Sequence, residues 1–364
     1  MATITSSAPA RVNNTQIGSY YGAQLRKFGA YASVTLFASL VLGLFLVPFA
    51  YSALTSVKDR EQIIASANGT ILPVDRVTFE YEGSSYEVFN VPMPDGTTRQ
   101  LALVQPGRRS SVFIDPDDPT TRIEWEGAWR SLQPVEELSL RWGNFGEAWR
   151  QVNFPILLRN TAAIALFGVI GTLLSSICVA YAFARFPLPF KNVLFFILIA
   201  TIILPSQVTL VPTYTFFSNI GWTGTWLPLI VPHFFANAYN VFLMRQYFLT
   251  LPRELDEAAM IDGANPLRIL ISVIIPQSWP VIVAVALFHT VYAWNDYFLP
   301  LIYLLGQPDL QPISVGIQVF NFRYGQQPHL IQATALMGLA LPVIIFFAAQ
   351  KVFMRGVVVT GVDK

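Results

Sequence analysis

The stretch ELDEAAMIDGANPLRILISVIIP, Glu254–Pro276, sets four carboxylates, Glu254, Asp256, Glu257 and Asp262, beside small residues in a chain otherwise dominated by apolar segments. Ala258 and Ala259 let a second backbone approach closely, and charge at fixed spacing orients whatever approaches. That combination suits insertion into a groove on a soluble partner, not bond chemistry. An ordinary connecting loop with solvated charges is the alternative.

The elements that would hold these residues are legible nearby. Pro252 can open a helix, because its missing N–H has no partner in a first turn, and Glu254, Asp256 and Glu257 then sit where the helix dipole favours negative charge. Leu255, Ala258 and Ala259 fall at i, i+3 and i+4 on one face. Gly263 tolerates positive φ just past Asp262, and Asn265–Pro266 reads as N-cap and first residue of a second helix. There Leu267, Leu270, Ile271 and Ile274 repeat at helical spacing until Pro276 interrupts the ladder. A helix of about ten residues covers only ~15 Å, too short to cross a bilayer. The sequence predicts an L-shaped pair of short helices at a membrane surface, which a generic loop would not need.

Of the 364 residues, 53% are hydrophobic and 12% charged, against about 25% charged in soluble domains. This is a membrane composition, and a net charge of +1 points to no nucleic-acid partner. Cys178 is the single cysteine, so it makes no internal disulfide and is expected as a small core residue. Six stretches are long and apolar enough to span: 30–53, 160–183, 193–217, 226–244, 279–305 and 330–353. The first is too long for the apolar part of a cleaved signal. Lys/Arg bias places Arg11, Arg26, Lys27, Arg185, Lys191, Arg245, Arg253, Arg268, Lys351, Arg355 and Lys364 on the cytoplasmic side, against Arg159 and Arg323 outside. Both termini and the 254–276 stretch are then cytoplasmic. Trp142, Trp149, Trp222 and Trp226 fall near the outer boundaries, and Pro205, Pro212, Pro228, Pro232 and Pro342 read as kinks and turns.

Between the first two spans, residues 58–141 form a polar exterior insert. Val77, Phe79 and Tyr81, then Tyr86 and Val88, alternate with polar residues at the period of half-buried strands. The turn signals EGSS, Pro94–Gly96, Pro106–Arg109 and Asp115–Pro119 divide it into about five short strands. A docking surface for an exterior partner and a stabilising cap on the spans both fit.

The run EAAMIDGANPLRILISVIIPQSWP resembles the EAA motif of importer-type ABC permeases, with Glu257, Ala258, Ala259, Gly263 and Pro276 matching position by position. NFGEAWRQV at 144–152, the RNT before the second span, VFLMRQYF at 241–248 and WNDYFLPLI at 294–302 resemble the carbohydrate-uptake branch, in its maltose-transporter-like smaller subunit type. The resemblance covers nearly all of 30–364 and departs at the insert, which is longer than usual. It implies an all-α transmembrane, six-helix type I importer permease carrying a small β-rich exterior insert. Its parts would be 1–57 with the first span, the insert 58–141, and a five-span core 142–364 with a coupling helix at 252–275.

The resemblance further implies a bacterial inner-membrane protein working beside a second permease subunit, two copies of a cytoplasmic ATP-binding subunit and an exterior sugar-binding protein, surrounded by lipid. No cofactor is then bound by this chain. ATP and magnesium are used by the partner, and this sequence has no G-x-x-x-x-G-K-[ST] loop of its own. Glu257, helped by Asp262 and Glu254, would make charge-assisted contact with the ATPase, with Ala258, Ala259, Gly263 and Ala264 in the fitted surface. For the path, the spans offer Asp296 beside Asn295, then Asn237, Tyr239 and Asn240 for sugar hydroxyls, and Tyr292 or Trp294 as an aromatic face. Hydrogen bonds that glue the bundle are the equal alternative for each. His233, His289 and His329 are too scattered in sequence for a metal triad, so packing or hydrogen bonding is expected of them. The outer loop 306–329 matches in position a family loop that can reach into the docked exterior protein, with a plain re-entrant connector as the equal alternative, and the short tail 355–364 resembles a region that in some relatives extends between the ATPase subunits. Two other classes compete with this one. An ion-coupled secondary transporter would call for internal repeats and coupling acids, and an exterior sensor module would leave five spans without a purpose.

Overall fold

The computed structural model of the chain describes residues 14–66, 71–322 and 326–358. Arg11, Arg323, Lys364 and the tail from 359 onward lie outside the described residues. Two compact units are present, Met1–Leu54 and Thr55–Lys364. The first is built from helix α1 (Asn14–Ser56), whose Arg26–Ser56 portion is apolar enough to cross a membrane. Its Phe and Leu side chains point outward, among them Phe37, Leu40 and Phe45. That is how a helix solvated by lipid differs from one in water.

The second unit opens with α2 (Arg60–Ser66), where Asp59 and Gln62 cap reciprocally, each side chain accepting from the other's backbone N–H. The insert follows as eight strands: β1 (Val74–Arg76), β2 (Thr78–Tyr81), β3 (Ser84–Pro92), β4 (Thr98–Gln105), β5 (Ser110–Asp115), β6 (Asp118–Glu126), β7 (Gln133–Pro134) and β8 (Glu136–Leu138). Strands β2 to β6 form an antiparallel meander in chain order, β7 adds to β3, and β1 pairs with β8. Three more strands are present than the expected five, because β1, β7 and β8 are too short for alternation to register. The four turn signals each sit at a strand connection. At Glu82–Gly83, φ values of 49° and 78° between the paired Tyr81 and Ser84 make the type I′ turn that matches strand twist. Phe89, Val91, Leu101 and Phe113 form the insert's core, with Trp129 edge-on to Phe89 and Trp125 edge-on to Phe113. Its base is tied down by Arg141, which pairs with Asp59 at 3.2 Å and Asp75 at 2.6 Å. Buried Asn144 donates to Ser56 O and Lys58 O, both at 2.8 Å.

The helices then run α3 (Gly143–Gln151), α4 (Phe154–Arg185), α5 (Lys191–Ala200), α6 (Ser206–Asn219), α7 (Leu227–Ile230), α8 (Ala238–Thr250), α9 (Glu254–Ile261), α10 (Pro266–Ile269), α11 (Ile275–Gln277), α12 (Trp279–Asn295), α13 (Phe298–Tyr303), α14 (Ile313–Gly316), α15 (Val319–Phe322) and α16 (Pro328–Val358). Among the described residues four stretches could cross a membrane unaided, Arg26–Ser56, Phe154–Arg185, Leu227–Thr250 and Pro328–Lys351, or six if each of two bent pairs is one crossing. The expected stretch 193–217 is one such pair, bent by 98° beside Pro205, one of the prolines read as a kink. Leu204 is extended ahead of Pro205, whose ring disfavours helix at the residue before it. Likewise 279–305 is not continuous: α12 stops at Asn295, and extended Asp296 leads into α13.

Helix α4 lies at the centre of this unit and packs against α7, α8 and α12. One end of the core joins Ala180, Tyr181 and Ala184 of α4 to Met244 and Phe248 of α8, Ile269, Leu270 and Ile274, and Ile282 and Val285 of α12. At the other, Phe154 and Leu157 meet Ala293, Trp294 and Ile313. Cys178 is exposed on α4, not in the core as expected. With lipid as solvent, a small apolar side chain gains little by turning inward.

Candidate functional site

The 254–276 stretch folds as two helices joined by a tight turn. α9 begins at Glu254, so Pro252 lies ahead of the helix and not at its first position; Arg253 is the N-cap, and its carbonyl accepts from Asp256 N and Glu257 N. The far end is a Schellman turn: Ala264 N donates to Ala259 O at 2.9 Å and Gly263 N to Met260 O at 3.0 Å, with Gly263 at φ 79°. A side chain at Gly263 would strain this backbone. Asn265 then caps α10, its Oδ1 accepting from Arg268 N at 2.8 Å. Beyond α10 the ladder widens into a π turn, Leu270–Ile274, ahead of Pro276, and the helix bends by 81° at Ser278 into α12. Pro276 therefore sits inside a helix, and the break falls two residues later.

Of the predicted contact residues, Glu254, Glu257, Ala258, Asp262 and Gly263 are exposed, while Ala259 and Ala264 turn inward against the buried cluster. The exposed tip also carries Met260 and Ile261, the latter 87% exposed. The sequence reading missed both; an apolar pair on the polar face of a short helix was the available signal.

It also missed the group that holds the element down. Asp256 is buried, and its Oδ2 lies 2.9 Å from Arg185 Nε, with side chains 9% and 7% exposed. The contact is ionic more than a well-aimed hydrogen bond, and Asp256 Oδ1 accepts nothing among the described residues. Arg185 Nη2 also donates to Leu251 O at 3.0 Å, and Tyr181 OH to Pro266 O at 3.2 Å. Burial pushes the Asp256 carboxyl above its ordinary value, opposed by Arg185 and Arg253 and helped by Glu257.

Two cavities lie along α8 and α12. One of about 330 Å³ is lined by His233, Asn237, Tyr239, Asn240, Phe288, His289 and Tyr292. A second of about 480 Å³ shares His233, Asn237 and Tyr292 and reaches Asp296, Thr213 and Tyr303. Of the seven path residues read from sequence, five line a cavity. Trp294 does not: it is buried and donates to Gly338 O at 3.0 Å, joining α12 to α16. Asn295 bonds back to Val291 O in its own helix. Asp296 Oδ1 also accepts from Leu299 N in the first turn of α13, and Asn237 Oδ1 caps α8. His233 and His289, which looked scattered, meet edge-to-face with ring centroids 4.4 Å apart, and His289 Nδ1 meets Thr172 Oγ1 at 3.1 Å. No cluster of three or more His, Cys, Asp or Glu placed to hold a metal ion occurs among the described residues. The RNT run proves structural: Asn160 donates to Asp309 O and Gln311 O, and Thr161 Oγ1 accepts from Ile313 N, pinning the start of the outer loop.

Residues 171–359 match the family described as "Binding-protein-dependent transport system inner membrane component". The osmoprotective compounds uptake permease protein GgtD of Synechocystis sp. is 30% identical over 253 residues, 69% of this chain and 85% of that one. The sn-glycerol-3-phosphate transport system permease protein UgpE of Agrobacterium fabrum is 32% identical over 239 residues, 63% and 83% of the two chains. A crystal structure of a bacterial ABC transporter involved in the import of the acidic polysaccharide alginate aligns with a TM-score of 0.58 at 18% identity, covering 94% of this chain and 99% of its own. That likeness is one of fold, and its coverage takes in most of the insert as well as the helices.

Proposed function

The chain belongs to the binding-protein-dependent transport system inner membrane components and is the permease component of an ABC importer; from that premise we propose that it moves a sugar or polyol inward by alternating access. A second permease subunit completes the path, two copies of an ATP-binding subunit drive it from the cytoplasm, and an exterior binding protein delivers the solute. ATP and magnesium act in the ATP-binding subunits, and this chain catalyses no bond chemistry. It crosses the membrane six times, counting each bent pair as one crossing, with both termini inside. Arg26, Lys27, Arg185, Arg245, Arg253, Arg268 and Lys351 would then share the cytoplasmic side.

The observation that carries this reading is the α9–Gly263–α10 element, which offers an exposed, acid-bearing helix end beside a hydrogen-bonded turn. Glu257 would make the charge-assisted contact with the ATP-binding subunit, with Glu254 and Asp262 beside it, and Ala258 and Gly263 would permit close approach. Ala259 and Ala264 would act from below by fixing the turn. Asn237, Tyr239, Asn240, Tyr292 and Asp296 would line the path. Neither cavity is lined by Lys or Arg among the described residues, which suits a neutral hydroxyl-bearing solute better than the phosphate ester named for UgpE.

Glu257→Lys tests the coupling role. In proteoliposomes holding the assembled complex, it should abolish ATP-driven uptake of whichever labelled sugar the wild type accumulates, while the chain still inserts. Uptake at the wild-type rate would remove Glu257 from the coupling contact.

A further inference from the structure

We propose that the Arg185–Asp256 ion pair makes α4 a second output of the coupling element, so that α9 drives two spans and not one. This rests on α9 being the ATPase contact. The covalent route from α9 into α12 passes the Gly263 turn, a π turn and an 81° bend at Ser278. Each of these joints can absorb rotation before it reaches the cavity. A route through space is shorter. Asp256 lies in the first turn of α9, and its carboxylate meets the last residue of α4 at 2.9 Å in a buried setting. A cation at the end of a helix is favoured by the unsatisfied carbonyls there. Arg185 also holds Leu251 O just past α8, and Tyr181, one turn back, holds Pro266 O at the start of α10. From this anchor α4 runs uninterrupted to Phe154. Thr172, which contacts His289, and Ile164, on the second cavity, lie on the same helix. At about 1.5 Å per residue, Ile164 is roughly 30 Å from Arg185 along α4, so movement at α9 reaches the cavity wall without passing a bend.

The test uses the whole complex, this chain with its second permease and ATP-binding subunits in nanodiscs, and reads MgATP hydrolysis without the exterior binding protein. No solute need be known. If the pair couples subunit closure to movement of α4, breaking it relieves that load. Asp256→Asn and Arg185→Gln should each raise hydrolysis roughly fivefold or more, the low end of ordinary coupling between sites. The reversed pair, Arg185→Asp with Asp256→Arg, should return it toward the wild-type rate. Single variants hydrolysing at the wild-type rate would overturn the link, and so would a reversed pair as fast as the singles, since packing alone would then account for both residues. Should a single variant fail to assemble, Arg185→Lys keeps the charge and loses the second arm to Leu251; it must give an intermediate rate, and a wild-type rate overturns the link. A silent wild type with hydrolysing single variants would support the link as well, whereas failure of the ATP-binding subunits to copurify with this chain would overturn the coupling reading and this inference with it.

Discussion

A methyl group at position 168 would lie 2.5 Å from His289 Nε2 and 3.4 Å from His233 Cδ2, and one at 171 would lie 2.6 Å from Phe234 Cδ2 and 3.1 Å from the His233 backbone. These glycines let the His233 segment and α12 close onto α4. Gly168→Ala should cost about 1–3 kcal/mol, as overpacking does, and lower the melting temperature of the purified complex. Gly146→Ala, in a helix with open space around it, should be neutral or gain up to ~1 kcal/mol. The histidine cluster was not legible because it depends on what is missing from a residue 121 positions before His289 in the chain. By contrast, Gly263 and Asn265 were legible, because turn and cap chemistry act within a few residues. Asp256 carries a pH signature. Its folded-state pKa is raised above 3.8 by burial, so just above that value the folded chain binds this proton more tightly than the unfolded chain. Its contribution to stability therefore falls as pH rises through that window. Melting curves of wild type and Asp256→Asn, compared across pH, should converge on the acid side and part as pH rises.

Elements repeat the lesson at larger size. The insert's turns were readable from EGSS, PDG and DPDDP, whereas β1, β7 and β8, two or three residues each, exist only because longer neighbours offer them a ladder. In the helices, apolar content marked which stretches are long enough to cross a membrane, and Pro205 was legible as a bend because its ring acts on its neighbour, whereas the break at Asp296 was not. The two cores, insert and helices, are separate clusters. Phe113→Ala, at a fully buried position, should cost the insert about 3–5 kcal/mol. Hydrogen exchange should then quicken at β3–β5 amides while α4, α8 and α12 keep their protection. Equal quickening in both regions would mean that the insert and helical core unfold as one.

At the scale of the whole molecule, the apolar surface left exposed on α5, α6, α12 and α16 is what lipid and a second permease subunit would cover, and the proposed polar roles fall to the cavity wall and α9. The proposed function requires that α9 meet the ATP-binding subunit at the cytoplasmic face. The most direct measurement is photo-crosslinking from p-benzoylphenylalanine placed at Ala258, exposed between Glu257 and the Gly263 turn, in membranes containing the complete transporter. One adduct is expected, with the ATP-binding subunit. An adduct with the exterior binding protein, or none with the ATP-binding subunit in a complex that still imports, would contradict it.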